Sequence, residues 1–112
     1  MNTLGTEAES KAADYLTALG YELLERNYRR KFGEIDIIAR NGDTVVFIEV
    51  RLRRNESYGR AAETVGRLKQ RRIAKAAAAY AQARDYDGPM RFDVIALNSE
   101  RLEHIPAAFG GI

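Results

Sequence analysis

The sequence predicts an α/β protein with the element order α-β-β-β-α-β. Three observations lead to this prediction: two segments with apolar residues at helical spacing, alternating apolar residues on both sides of Asn41-Gly42, and an apolar segment after the chain-breaking Asp87-Gly88-Pro89. A chain of 112 residues has room for one core. We therefore expect residues 1–112 to form a single domain.

The first half of the chain begins with a helix predicted from about Thr6 to Leu19, which Gly20 ends as a C′ residue. A strand from Glu22 to Arg29 follows. The next two strands, Glu34 to Arg40 and Thr44 to Arg53, form a predicted hairpin.

In the second half, residues 55–59 are predicted to form a loop, and a second helix runs from about Val65 to Arg84. Its apolar stripe consists of Val65, Leu68, Ile73, Ala76, Ala77 and Tyr80. A final central strand is predicted from Met90 to Leu97, and the tail from Leu102 onward is expected to add an edge strand before Phe109.

The hairpin sets an Asp and a Glu on adjacent strands. Asn41-Gly42 favours a two-residue type I′ turn, which pairs Arg40 with Asp43. Asp36 then lies opposite Phe47 and Glu34 lies opposite Glu49. One face of this hairpin carries Glu34, Asp36, Glu49 and Arg51. The other face, expected to be the core, carries Ile35, Ile37, Ala39, Val46, Ile48, Val50 and Leu52.

Asp36 and Glu49 need a partner, since Asp is depleted in strands and an unpaired buried charge is costly. In the predicted register they are diagonal neighbours, roughly 7–8 Å apart and able to converge on one divalent cation. A salt bridge to Arg51 or to a helix Arg is the structural alternative, and the hairpin alone leaves both open. With no Cys and one His in the chain, a metal would be held by oxygen, which indicates Mg²⁺ or Mn²⁺.

Charge is distributed unevenly along the chain. Residues 26–75 hold 14 Lys and Arg against 6 Asp and Glu, a net of +8, whereas the rest of the chain has a net charge of −6. Such a basic block indicates a phosphate-bearing polymer as partner, the alternative being a solvated helix face. No apolar segment approaches the roughly 18 residues of a membrane span, and no signal peptide is recognisable, so we expect a cytoplasmic protein.

Several motifs along nearly the whole chain resemble the small bacterial YraN family. They are Gly5-xxx-Glu9-xx-Ala12-xx-Tyr15-Leu16, Arg26-Asn27, Gly33-Glu34-Ile35-Asp36, Val46-Phe47-Ile48-Glu49-Val50-Arg51, Tyr58-Gly59, Lys69-Gln70 and Arg91-Phe92-Asp93-Val94. The resemblance implies a restriction-endonuclease-like fold, with a mixed central sheet flanked by helices, similar to archaeal Holliday-junction resolvases.

The nuclease signature of that fold is a helix Glu, then Asp, then Glu-x-Lys. Transferred to this chain, Glu9 takes the helix position, Asp36 the aspartate, Glu49 the glutamate, and Arg51 stands where the pattern has lysine. The resemblance implies Mg²⁺ or Mn²⁺ held by Asp36, Glu49 and the Val50 carbonyl, with Glu9 joining directly or through water.

Arg51 departs from this pattern, because a guanidinium does not give up its proton in a protein. Three accounts stay open: a hydroxide generated by the metal alone, a lysine supplied from elsewhere such as Lys69 or Lys31, or a site that binds nucleic acid without cutting it. Gln70 beside Lys69 is a further candidate for contact with the site, the alternative being two exposed helix residues. The residues predicted to bind nucleic acid are Arg29, Arg30, Lys31, Arg53, Arg54, Arg67, Lys69 and Arg71.

Four other positions have local interpretations. Glu34 is expected to pair with Arg29 or Arg30, Asp93 to pair with a neighbouring Arg, and His104 to be structural or exposed. Tyr58 and its loop would either stack on a base or form a plain turn.

These features favour a metal-dependent DNA endonuclease, acting on branched or otherwise structured DNA. The alternatives are a nucleic-acid-binding module on an inactive nuclease scaffold and a protein-interaction domain with structural carboxylates. The resemblance to resolvases also implies a homodimer as the assembly to test.

Overall fold

The computed structural model describes residues 3–53 and 65–110, with side chains from residue 6 onward. The elements are α1 (Thr3–Ala18), β1 (Glu22–Arg30), β2 (Gly33–Asn41), β3 (Thr44–Leu52), α2 (Arg67–Ala83), β4 (Met90–Leu97) and β5 (Leu102–Phe109). The predicted order is confirmed, and the tail supplies the expected edge strand. The predicted loop at 55–59, with Tyr58 and Gly59, lies outside the described residues, as does Arg54.

The five strands form one mixed sheet in the order β1-β2-β3-β4-β5. β3 and β4 are parallel, and the other three neighbouring pairs are antiparallel. The parallel pair requires a crossover, and α2 lies within it. Neither described helix is long and apolar enough to span a membrane.

Helices cover both faces of the sheet, as the family resemblance implies, so the single core face expected from the hairpin pattern is wrong. On one face, Ile37, Val46 and Ile48 pack with residues of α1 such as Leu16. On the other face, Ile38, Phe47 and Val94 pack with α2. The central strands are apolar on both sides because both sides are buried, as in sheets with a parallel crossover.

The hairpin register differs by two residues from the prediction. Arg40 pairs with Val45 and Asn41 pairs with Thr44, so Phe47 lies opposite Ile38 and not opposite Asp36. Gly42 and Asp43 form the two-residue connection, and only Gly42 has a positive φ, of 65°. A type I′ turn requires positive φ at both central residues, so the prediction of this turn type is wrong. A shift of two preserves the predicted faces at Ile37, Ala39, Val46 and Ile48, because side chains alternate with period two.

Both helices differ from the predicted limits. α1 begins three residues earlier than expected, and α2 begins at Arg67, so Val65 is buried before the helix starts. Leu68 is 57% exposed, so its assignment to the apolar stripe of the second helix is wrong. The position one turn before buried Ile73 on the same helix face is Lys69, because residues four apart align along a helix.

Gly33 allows the β1–β2 hairpin to approach α2 closely. A Cβ atom at this position would lie 2.5 Å from the Arg72 carbonyl oxygen and 2.9 Å from its carbonyl carbon. Since backbone atoms cannot move aside as a flexible side chain can, we expect Gly33→Ala to lower the free energy of unfolding by about 1–3 kcal/mol. Urea denaturation measures this loss. Gly110→Ala, where a Cβ meets nothing within 4 Å, is the matched control, and equal stabilities of the two variants would contradict the prediction.

Candidate active site

Asp36 and Glu49 lie where the pairing of β2 with β3 ends. The last backbone pair on this side is Ile37 with Ile48, so Asp36 and Glu49 are the next residues of the two strands, and the predicted diagonal placement, with Glu34 opposite Glu49, is wrong. The Val50 N–H donates a 2.8 Å hydrogen bond to Oδ2 of Asp36. The carboxylate of Asp36 thus takes the place of a backbone acceptor at the point where the two strands separate.

Strand β1 is irregular at the same level. Arg26 pairs with Ile37 and Tyr28 pairs with Ile35, and the residue between them, Asn27, has a φ of 54°. Asn is among the non-glycine residues that adopt this conformation most often. Ile35 belongs to the cluster on the α2 side, although strict alternation predicts that it shares a face with Ile37. The alternation therefore breaks at Asp36, and Asn27 is a local feature that the hydrophobic pattern did not indicate.

Burial and repulsion from Glu49 raise the proton affinity of Asp36. The side chain of Glu49 is 4% exposed, and Asp36 is half-buried. Burial, followed by repulsion from Glu49, raises the pKa of Asp36 to about 7, although the Val50 N–H partly opposes the rise. Glu9 of α1 adds a further repulsion, but its own carboxylate lies 3.8 Å from Arg26. The described residues contain no group of three or more Asp, Glu, His or Cys close enough to share a metal ion.

Two cations among residues 3–53 and 65–110 contact Glu49. Its Oε2 lies 2.7 Å from Nζ of Lys69 and 3.5 Å from Nη1 of Arg51. The structural alternative proposed for the hairpin acids is thus present for Glu49, with a helix lysine as the shorter contact. Gln70 turns elsewhere, since its Nε2 donates a 2.7 Å hydrogen bond to the Val65 carbonyl before the first turn of α2.

The acidic pair opens onto a cleft of about 860 Å³ between the β1–β2 hairpin and α2. We call it the basic cleft, because seven of the fourteen described residues that line it are Lys or Arg and three are acidic. The lining residues are Arg29, Arg30, Lys31, Phe32, Gly33, Glu34, Asp36, Glu49, Leu68, Lys69, Arg71, Arg72, Ile73 and Lys75. The described part of the chain thus brings together most of the predicted nucleic-acid-binding residues around Asp36 and Glu49.

Three of the residues predicted to bind nucleic acid either pair with an acidic residue or lie outside the basic cleft. Arg29 lies in the cleft, but its Nε is 3.5 Å from Glu34, which confirms the expected pair. Arg53 bonds Glu103 of β5 at 2.7 Å. Neither Arg53 nor Arg67 is among the residues that line the basic cleft.

Asp93 belongs to a separate buried network. Nε and Nη2 of Arg91 donate to its two carboxylate oxygens at 2.8 and 2.9 Å, which confirms the predicted ion pair. His104 Nε2 lies 2.8 Å from the same carboxylate, and its Nδ1 lies 3.0 Å from the Tyr15 hydroxyl. Burial by itself raises the pKa of Asp93, but its hydrogen bonds with His104 and Arg91 outweigh burial and hold the pKa below its ordinary value. His104 is thus structural, as predicted.

The raised pKa of Asp36 predicts an unusual pH dependence of stability. Between about pH 4, where the unfolded carboxyl ionises, and pH 7 the folded protein binds more protons than the unfolded chain. Ionisation of Asp36 therefore costs stability as the pH rises through this window. In the presence of EDTA we expect Asp36→Asn to raise the free energy of unfolding by about 1–2 kcal/mol at pH 8, with a smaller gain near pH 4.

Urea denaturation of the wild type and the Asp36→Asn variant at both pH values tests this dependence. Asp14→Asn, on the exposed side of α1, is the control for the loss of one carboxylate. A gain that is the same at the two pH values, or that Asp14→Asn reproduces, contradicts the prediction.

Comparisons with known proteins agree with this architecture. A solved structure of Hjc from Archaeoglobus fulgidus, a Holliday junction resolvase from an archaeal hyperthermophile, is similar with a TM-score of 0.53. The similarity covers 91% of this chain and 76% of that chain at 20% sequence identity. At this identity the likeness concerns the fold, and it confirms the predicted restriction-endonuclease-like fold.

Similarity at the level of sequence is closer. A UPF0102 protein of Thermodesulfovibrio yellowstonii is 45% identical over 106 residues, covering 95% of each chain. A UPF0102 protein of Syntrophus aciditrophicus is 48% identical over 110 residues, covering 94% of this chain and 87% of that one. The model of the uncharacterised protein family UPF0102 matches residues 8–97. The chain therefore belongs to the UPF0102 family, in agreement with the resemblance read from its motifs.

Proposed function

We propose that this protein is an endonuclease that hydrolyses phosphodiester bonds in DNA with the help of Mg²⁺ or Mn²⁺. One observation carries the proposal: Asp36 and Glu49 lie side by side in a cleft whose other charged residues are mostly cations. Cationic walls attract a phosphate backbone, and paired carboxylates attract a divalent cation. A cleft of this composition therefore brings together the substrate and the metal that phosphodiester hydrolysis requires.

The donor set fits a hard divalent cation. Mg²⁺ is commonly bound through one or two carboxylates while keeping several waters, so a third acidic residue is not required. The repulsion between Asp36 and Glu49 is the physical reason for an ion at this place, since a divalent cation would offset it. We propose Asp36, Glu49 and the Val50 carbonyl as ligands, with Glu9 contributing through water. When bound, the metal supplies Lewis-acid activation of the phosphoryl group and of an attacking water.

Lys69 takes the role that the nuclease pattern gives to a strand lysine. Lys69 lies on α2, and its ammonium group contacts Glu49 at 2.7 Å. Arg51, at the motif position, lies 3.5 Å from Glu49. From this position Lys69 orients the attacking water and stabilises the negative charge that develops on the phosphoryl oxygens. Arg51 binds a neighbouring phosphate oxygen, for which a guanidinium is well suited.

The two walls of the basic cleft hold the DNA backbone. One wall is the β1–β2 hairpin, with Arg29, Arg30 and Lys31, and the other is α2, with Arg71 and Lys75. Phosphate contacts of this kind position the substrate without reading its sequence. The fold shared with a Holliday junction resolvase supports structured DNA as the substrate class.

Cleavage of single-stranded, duplex and four-way-junction DNA tests the proposal. We expect the wild type to cut at least one of these DNAs with Mg²⁺ or Mn²⁺ and to stop in EDTA. The double variant Asp36→Asn/Glu49→Gln should bind DNA without cutting it. The charge-matched control Asp14→Asn/Glu22→Gln alters two exposed acids outside the basic cleft and should cut like the wild type. If the wild type cuts none of the DNAs with either metal, the proposal is wrong.

A nucleic-acid-binding module without activity is the second candidate. The contact between Glu49 and Lys69 favours it, because an ammonium group already compensates the buried carboxylate that a metal would otherwise use. This candidate predicts DNA affinity that falls steeply with salt, no uptake of divalent ions in calorimetry and no cleavage. Affinity that stays flat with ionic strength would leave only a protein-interaction role.

A further inference from the structure

Phe32 is an exposed aromatic residue in the midst of cations. It occupies, with Lys31, the two-residue turn between β1 and β2, and 40% of its surface is exposed. Phe32 and Lys31 line the basic cleft that contains Asp36 and Glu49. The same turn also lines a second hollow, together with Ala79 of α2. The exposed phenyl ring thus lies beside the cations of the cleft and is not part of the hydrophobic core.

The turn that carries Phe32 is held firmly against α2. Gly33, the next residue, packs against the backbone of Arg72 so closely that no side chain fits between them. Arg30, which pairs with Gly33 across the turn, donates through Nε to the Tyr28 hydroxyl at 2.9 Å. Its guanidinium also lies 5.0 Å from the centre of the Tyr28 ring. These contacts fix the hairpin end, so Phe32 is presented at a defined place relative to the acidic pair.

We infer that Phe32 is a stacking platform for an unpaired base, and that the substrates of the basic cleft are DNAs with unpaired bases. This inference rests on the proposed function and specifies its substrate class. Aromatic side chains in a cationic groove are how proteins hold single strands, because every base offers a π-face once it is free of its stack. In an intact duplex the bases are stacked on each other and Phe32 has no base to contact.

Charge complementarity favours DNA over a second copy of this chain as the occupant. Arg29, Arg30 and Lys31 immediately precede Phe32, and the facing helix adds Lys69, Arg71 and Lys75. Two such surfaces would repel each other, whereas a strand of phosphates is attracted to both walls.

The absence of Trp from the sequence permits a direct spectroscopic test. Phe32→Trp would introduce one indole at the proposed platform, and we place it in the cleavage-deficient Asp36→Asn/Glu49→Gln background so that the DNA stays intact. We expect single-stranded DNA to quench this fluorescence and a duplex of the same length to leave it nearly unchanged. The control Leu19→Trp, an exposed position at the end of α1, should respond to neither DNA.

Binding measurements complete the test. In the same background Phe32→Ala should weaken binding to the single strand on the order of tenfold and to the duplex by about twofold or less. Equal quenching by the two DNAs, no quenching by either, or equal losses of affinity would overturn the inference. Sedimentation of the wild type and Phe32→Ala adds one more decisive outcome, since a dimer that dissociates on this substitution would assign Phe32 to a protein interface and overturn it as well.

Failure of this inference and failure of the proposed function are distinguishable. If the inference alone is wrong, the wild type cleaves DNA and Phe32→Trp reports no preference for the single strand. If the proposed function alone is wrong, the wild type cleaves nothing, yet Phe32→Trp is quenched by the single strand and not by the duplex.

Discussion

Replacing Lys69 with methionine is expected to lower the rate of metal-dependent DNA cleavage by about 10²–10⁴-fold. Methionine keeps most of the length of the side chain and removes its charge. The ammonium group of Lys69 lies 2.7 Å from Glu49, so its loss removes the cation that we propose to orient the attacking water and to stabilise the developing charge. Single-turnover cleavage with saturating protein measures the chemical step separately from DNA binding.

Two further variants identify what Lys69 contributes. Lys75→Met, on the same helix and in the same cleft, removes an identical charge outside contact range of Glu49 and should change the cleavage rate by about threefold or less. Lys69→Arg keeps the charge; substantial activity in this variant would indicate electrostatic stabilisation, and near-complete loss would indicate proton transfer or strict geometry. If Lys69→Met and Lys75→Met reduce the rate equally, Lys69 is only one of the DNA-binding cations.

The second large effect is expected in the buried network around Asp93. Asp93→Ala should lower the free energy of unfolding by about 3 kcal/mol, because it leaves Arg91 and His104 without their shared carboxylate. Asp93 is fully buried, so water cannot replace the lost partner. Urea denaturation at neutral pH measures the loss.

An exposed ion pair provides the control for Asp93. Glu22→Ala breaks the 3.1 Å contact with Arg40 on the surface and should cost no more than about 1 kcal/mol. Equal losses for the two variants would show that the Asp93 network contributes no more than a surface pair.

Asp93 contributes to the free energy of unfolding with a pH dependence opposite in sign to that of Asp36. Its folded pKa lies below the unfolded value, so its contribution is complete above about pH 4 and is lost as the pH falls through the folded pKa. The difference in stability between the wild type and Asp93→Asn should therefore shrink in acid. A difference that grows in acid would contradict this assignment.

Most of the fold was predictable because periodicity is a local property. Strand β4 has the predicted limits, Met90 to Leu97, since an apolar run between chain-breaking residues has few other solutions. Four residues of the predicted core face, Ile37, Ala39, Val46 and Ile48, do lie on the face that packs on α1, in spite of a register error of two residues, whereas Ile35 lies on the α2 side and Leu52 is exposed. The same period of two concealed that error, because a shift of two leaves every side chain on its original face.

The site was predictable only as a set of residue types. Asp36, Glu49 and the surrounding cations were identified from the hairpin, the charge block and the family motifs. Their distances were not predictable, since the wrong turn residues separated Asp36 from Glu49 by one diagonal. The contact between Lys69 and Glu49 depends on the rotation of α2 about its axis relative to the sheet. The hydrophobic stripe did not determine this rotation, because it placed the exposed Leu68 on the buried face.

The sequence by itself determined the order of the elements, the acidic pair on adjacent strands and the basic block around it, because these follow from backbone periodicity and composition. Only the tertiary structure decided that α2 covers the second face, that Lys69 rather than Arg51 makes the shorter contact with Glu49, and that Phe32 borders the same cleft. It also placed the Ala107 N–H on Asp93 at an irregularity between β4 and β5. Contacts of this kind join residues distant in sequence, and their geometry depends on the packing of whole elements, to which a local pattern is insensitive.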